Sequence, residues 1–290
     1  MREFLSDLGR YEFLQLALLT GVLVSVACGI VGAYVTIRRI VGVAGAIAHC
    51  TLGGMGAALY LQREAGWSFI TPLHGAIAAA LLAAILIALL TTYGGQREDT
   101  VLGAIWAVGM AIGILFLSRT RGYTQDLMSY LFGNILMVRR ADVWLIAGLD
   151  AVVVAVSLGF FNRLQAVCFD EEFARLRGVR VGFYTTLLLC LTALTVVLLV
   201  TVVGLVMVIA LLTLPVAIAS LVSRSLWQVM AVAAALSALC CIAGLAVSYG
   251  ANTPAGATTI LIAGATYVLV AGASAARNLL SNRSKGRKLA

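Results

Sequence analysis

Long apolar runs separated by short polar breaks dominate the chain. They lie near residues 14–36, 46–62, 72–94, 100–118, 141–160, 184–202, 205–222, 227–248 and 254–274. Most reach the roughly 20 residues that an α-helix needs to cross the hydrocarbon core of a bilayer. Runs such as Ala78 to Leu90 do not alternate apolar and polar side chains, as the roughly ten-residue strands of a membrane barrel must. The pattern predicts an all-α membrane protein, a polytopic bundle of eight or nine transmembrane helices. Because the runs start near residue 14 and stop near Ala275, residues 1–290 read as one transmembrane domain with a basic tail over 276–290. The opening MREFLSDLGRYEF carries acidic residues and leads into a run longer than a signal peptide's core, so the first span is expected to persist in the mature protein.

One polar break differs from the others. Residues 169–178 (FDEEFARLRG) hold three of the chain's twelve acidic residues together with Arg175 and Arg177. Phe169, Phe173 and Leu176 recur at helical spacing and form an apolar stripe. Asp170, Glu171, Glu172 and the two arginines fill the remaining positions around Ala174, and Gly178 is placed to end the helix. A charge run between spans is commonly a solvated loop, but an apolar stripe turned away from the lipid needs a protein groove to bury it. The stretch is therefore expected to be a docking helix for a soluble partner.

Composition agrees with the span count. Apolar residues make up 62% of the chain, charged residues 11%, and the mean hydropathy is +1.05, values outside the range of soluble domains. The net charge of +8 follows from membrane topology and calls for no nucleic-acid partner. With nine spans and the 169–178 helix on the cytoplasmic side, the breaks on that side and the tail hold 13 of the 20 lysines and arginines, the sign of bias the positive-inside rule requires. The stretch 119–140 then lies outside despite four arginines, and its portion LMSYLFGNILMV suits a short helix folded back into the protein. Six cysteines, at 28, 50, 168, 190, 240 and 241, fall mostly inside apolar runs without a CxxC spacing. They read as packing residues, neither a disulfide framework nor a thiolate metal site.

Few residues carry chemistry. A phosphate-binding loop of the form GxxxxGK[ST] is absent, since the two lysines, Lys285 and Lys288, both sit in the tail, and HExxH is absent as well. No catalytic residues are therefore assigned. His49 lies in the glycine-rich segment GVAGAIAHCTLGGMGAALY, where ionisable groups generally face the bundle interior or a wetted path and where neutral imidazole suits borderline divalent metals. A single interhelical hydrogen bond is the plainer role for it. His74, after Pro72 at a span's start, reads as interfacial. Asp150 stands about ten residues into the run 141–160; it suits either a proton or cation pathway or a protonated carboxyl bonded to a neighbouring helix. Glu98 and Asp99 are expected to cap the helix beginning near Thr100. Pro215 is expected to bend its span, and Pro254 to open the last one.

The order of these signatures resembles the permease subunits of ABC importers for zinc, manganese and iron. The likeness runs over nearly the whole chain and rests on RRIVGVAGAIAH (38–49), REDTVLGAIWAVG (97–109), SYLFGNIL (129–136), FDEEFARLRGV (169–179), VGLVMVIALLTLPVAIA (203–219) and SYGANTPAGATTI (248–260). It implies a multi-pass protein of the bacterial cytoplasmic (inner) membrane that pairs with a second copy or a paralogue. An extracytoplasmic metal-binding protein would feed it, and cytoplasmic ATP-binding subunits would drive it. Residues 169–178 become the coupling helix, His49 a ligand on the path of the transported divalent ion, and ATP is bound by the partner rather than by this chain. Many members carry an aspartate four residues before the histidine; here that position is Gly45, and a proline common in the next turn is Gly53. Alternatives in the same fold class are a permease for a metal chelate such as a siderophore or cobalamin, an ATP-independent transporter coupled to protons through Asp150, and a structural membrane protein without cargo.

Overall fold

The computed structural model describes residues 6–67, 69–120 and 138–286, with side chains as far as Arg277 except at 201 and 202. Eleven helices account for nearly all of it: α1 (Glu12–Ile37), α2 (Val41–Arg63), α3 (Pro72–Ala88), α4 (Glu98–Arg119), α5 (Arg140–Gly159), α6 (Phe161–Phe169), α7 (Glu171–Leu176), α8 (Val181–Val203), α9 (Leu205–Val222), α10 (Leu226–Ala251) and α11 (Ala255–Gly286). Helix α3 runs on through a π-helical turn, Leu89–Tyr93. Nine helices among the described residues are long and apolar enough to cross a membrane, which resolves the expected eight or nine to nine. The short helix foreseen within 119–140 falls on residues 121–137, outside the described ones.

Helix boundaries follow local chemistry. Thr71 Oγ1 accepts from the His74 amide, His74 Nδ1 accepts from the Thr71 amide at 3.2 Å, and Pro72 occupies the first turn of α3, where its missing N–H costs nothing. His74 is thus part of a cap. Helices α8 and α9 are separated by Gly204 alone, at φ 83° and ψ 164°, a conformation open essentially only to glycine. Pro215 sits inside α9 without ending it. Arg97, whose side chain makes no cap, holds the position where Glu98 and Asp99 were expected to cap; the two acids occupy the first turn of α4 and act through the helix dipole instead. The tail expected from residue 276 begins as a continuation of α11, which runs to Gly286.

Helices α1 and α8 form the centre. Helix α1 packs against α5, α8, α9 and α10, and α8 against α1, α2, α3, α5 and α9. Helix α2 lies between α3 and α4, and glycines set its distance from both. A methyl group on Gly53 would stand 2.6 Å from the Gly109 carbonyl oxygen, one on Gly56 2.8 Å from that of Gly113, and one on Gly54 would collide with the Gly75 carbonyl. Small residues at such crossings let backbones approach in lipid, where no hydrophobic force joins helices. Leu82, Ile85 and Leu86 on α3, Trp144 on α5 and Leu261, Val268 and Leu269 on α11 face outward, as lipid-exposed side chains do. All six cysteines are free thiols.

Candidate functional site

The segment 169–178 forms two pieces, not one helix. Phe169 is the last residue of α6, and Asp170 breaks the chain with φ −154° and ψ 100°. Its Oδ1 accepts from the Phe173 amide at 2.9 Å, so the residue expected within the helix is its cap. Glu171 and Glu172 occupy the first turn of α7, where the positive end of the helix favours them. At the other end the Gly178 amide donates to the Arg175 carbonyl and the Val179 amide to the Ala174 carbonyl, both at 3.0 Å, with Gly178 at φ 77°. This is the Schellman ending, which favours glycine at that point. The helix proper is the six residues Glu171–Leu176.

The exposed and buried faces of α7 are sharply divided. Ala174 is fully buried against the bundle, while Phe169, Phe173 and Leu176 are 62%, 50% and 87% exposed. The apolar stripe read from the sequence therefore points away from the protein, and the Arg177 guanidinium lies 5.0 Å from the centre of the Phe173 ring. The inner face is fixed by an ion pair between Glu171 and Arg38 at the end of α1. Sequence reasoning missed this pair, although both residues lie in blocks that carried the resemblance. Beside it, burial pushes the Cys168 thiol up to about 11, with Arg38 pulling the other way and Glu171 adding to the rise. A neutral thiol leaves Arg38 to the carboxylate. Between α7, the ends of α1 and α3 and the start of α8 lies a polar cavity of about 280 Å³, lined among others by Arg38, Thr91, Glu98, Glu171, Arg175 and Thr185.

His49 stands midway along α2, partly buried, and stacks on Trp106 of α4 with ring centres 4.5 Å apart and planes 14° from parallel. Its Nδ1 is buried and has no hydrogen-bond partner, so the single interhelical hydrogen bond considered for it is not made through that nitrogen. Trp106 also escaped the sequence reading, although it sits in the block 97–109. Gly45 is buried one turn before His49, with 3.6 Å between an added methyl and Ile209 of α9. Asp150 of α5 is buried elsewhere, beside Ala27 and Cys28 of α1, with Oδ1 unpaired. The structure does not bring Asp150 and His49 into one cluster. Among the described residues no three His, Cys, Asp or Glu side chains converge on a point where a metal ion could be held.

Among the described residues, nine helices long and apolar enough to span a membrane, with one short, capped helix whose apolar side chains are exposed between the fifth and sixth of them, define a multi-pass membrane protein. The chain belongs to the ABC 3 transport family, whose model matches residues 10–274. It is 38% identical over 262 residues to a probable metal transport system membrane protein of Chlamydia pneumoniae, with 89% of each chain covered. It is 33% identical over 259 residues to the manganese import system permease protein ScaB of Streptococcus parasanguinis, covering 89% of this chain and 90% of that one. Among solved structures, PsaBC from Streptococcus pneumoniae in complex with Fab superposes with a TM-score of 0.82 at 31% identity, covering 93% of this chain and 94% of the other. This is the family whose likeness the six sequence blocks carried, and the chain is a multi-pass bacterial membrane protein.

Proposed function

We propose that the chain is the membrane-spanning permease subunit of an ATP-driven importer for divalent metal ions. In this reading it works as a dimer, with a second copy or a paralogue, and with separate cytoplasmic ATPase subunits and an extracytoplasmic metal-binding protein. The observation that carries the reading is the geometry of α7: Phe173 and Leu176 bare to solvent, Ala174 buried and Glu171 paired with Arg38. A helix held this way is a rigid handle, and its exposed apolar face suits a groove on a soluble partner. Closure of two ATPases would move α7, the Arg38–Glu171 pair would pass the motion to α1, and the central helices would reopen toward the cytoplasm. Its likeness to ScaB, a manganese import system permease protein, favours manganese among zinc, manganese and iron. His49 supplies one borderline nitrogen on the path; with Gly45 in place of a carboxylate, the remaining ligands would be backbone carbonyls, water or the partner's equivalent groups.

The test is reconstitution of the permease with its ATPase and binding protein in liposomes, reading manganese uptake and nucleotide hydrolysis together. Uptake should need all components and hydrolysable nucleotide. Phe173→Asp should abolish uptake, by more than about tenfold, by setting a charge into the proposed groove, while the purified permease keeps its wild-type melting temperature. Nucleotide-independent flux through the permease alone would refute the assignment.

A further inference from the structure

A second basic feature lies at the end of α7, apart from the cavity beside the Arg38–Glu171 pair. Arg163 of α6, Arg177 and Arg180 line one cavity of about 420 Å³, together with Gly178, Val179, Phe183 and Tyr184. No carboxylate lines it. Neither the Arg38–Glu171 nor the Arg140–Glu12 ion pair involves these three residues, and no acid among the described residues neutralises their guanidinium groups. Three uncompensated positive charges around one concavity repel one another, and their arrangement is stabilised when an anion occupies it.

The cavity's depth in the molecule narrows the kind of anion. It sits where α5 ends at Gly159 and α8 begins at Val181, the ends of two helices long and apolar enough to span a membrane. Its inner wall is aromatic. The Tyr184 ring lies edge-on to Phe160 and Phe183, with centres 5.9 and 5.2 Å apart, and Phe183 is more than half exposed on the outer side of α8. Arg163 is already oriented: its Nη1 donates to the Tyr184 hydroxyl at 2.6 Å, and its guanidinium carbon lies 5.8 Å from the ring centre. One prepositioned guanidinium group, Arg163, with Arg180 lining the same cavity and the exposed Phe183 ring beside it, suits a phosphate that carries an acyl chain.

We propose that this cavity binds the phosphate headgroup of an anionic phospholipid, with Arg163 and Arg180 on the phosphate and Phe183 against the first acyl segment. The site rests on the orientation proposed above only for which leaflet supplies the lipid; the binding itself does not depend on metal transport. The experiment is native mass spectrometry of the purified full chain in detergent, titrated separately with phosphatidylglycerol and phosphatidylcholine. Wild type should retain phosphatidylglycerol about tenfold better. Arg163→Gln/Arg180→Gln should lose that preference, and Arg163→Lys/Arg180→Lys should keep most of it. Because Arg163 also holds Tyr184, Arg180→Gln alone serves as a second variant and should weaken the preference several-fold without lowering the melting temperature. Equal retention of the two lipids by wild type, or a preference that survives in both glutamine variants, overturns the proposal. Displacement of the lipid by millimolar inorganic phosphate would mark a soluble-anion site and also overturn it. So would an absent lipid preference accompanied by weaker capture of the ATPase subunit by Arg180→Gln, which would assign the arginines to protein docking.

Discussion

Arg38 and Glu171 are 133 positions apart in the chain, yet their contact joins the end of the central helix α1 to the first turn of α7. Its worth as a static ion pair is small because water reaches Glu171; its importance is geometric. If motion of α7 reaches α1 through this contact, Arg38→Glu should lower coupled uptake by about three- to tenfold, equivalent to roughly 1 kcal/mol of interaction, while nucleotide hydrolysis persists. The reversed pair, Arg38→Glu with Glu171→Arg, should recover at least half of the loss, and absence of recovery in that double variant would mean the contact carries no motion. His49 offers a separate case. Its buried Nδ1 has no partner and its ring is held flat against Trp106, the condition of a nitrogen kept available rather than used for packing. His49→Ala should cut uptake by more than about tenfold with little change in melting temperature, and wild-type uptake by that variant would remove His49 from the path.

At the scale of elements, the group α2, α3 and α4 depends on backbones meeting at glycine. Gly54→Ala sets a methyl against the Gly75 carbonyl, while Gly103→Ala on α4 meets nothing within 4 Å. Both replace glycine by alanine within a helix, so propensity cancels and the difference reports the crossing. Gly54→Ala should lower the melting temperature in detergent relative to Gly103→Ala, by an overpacking cost of about 1–3 kcal/mol, and Gly103→Ala should leave it unchanged or raise it. The same elements show what the chain's pattern made visible. Spans were legible because 20-residue apolar runs have few other uses, and the stripe Phe169, Phe173, Leu176 was legible from its spacing. The break at Asp170 was hidden, because the stripe continues across it and an aspartate at a cap looks like one more acid on a polar face. The Arg38–Glu171 pair and the His49–Trp106 stack were invisible for a different reason: each joins residues from helices far apart in the chain, and nothing in one-dimensional spacing records which helices become neighbours. The three arginines share one break between spans, but their spacing does not record how α6 and the turn after α7 fold around a single cavity.

At the scale of the whole molecule, contacts at the two ends of the bundle agree on one direction of travel. The start of α1 meets the start of α5 through Glu12 and Arg140, and the Tyr249 hydroxyl near the end of α10 donates to Asp7 at 2.8 Å. The end of α1 meets α7 instead. Helices α1 and α5 thus run parallel, with α6 and α7 at the far end beside Arg38, Arg163, Arg175, Arg177 and Arg180. The positive-inside rule turns that arginine-rich end toward the cytoplasm, which places the turn between α2 and α3 outside. Single cysteines introduced at Leu176 and at Gly66 test the arrangement in intact cells, with the unaltered chain and its six native thiols as the blank. Gly66→Cys should react with a membrane-impermeant maleimide before permeabilisation, and Leu176→Cys only afterwards. The reverse order of labelling would put α7 on the face that no ATPase reaches, and the proposed route of force through Glu171 and Arg38 would fall with it.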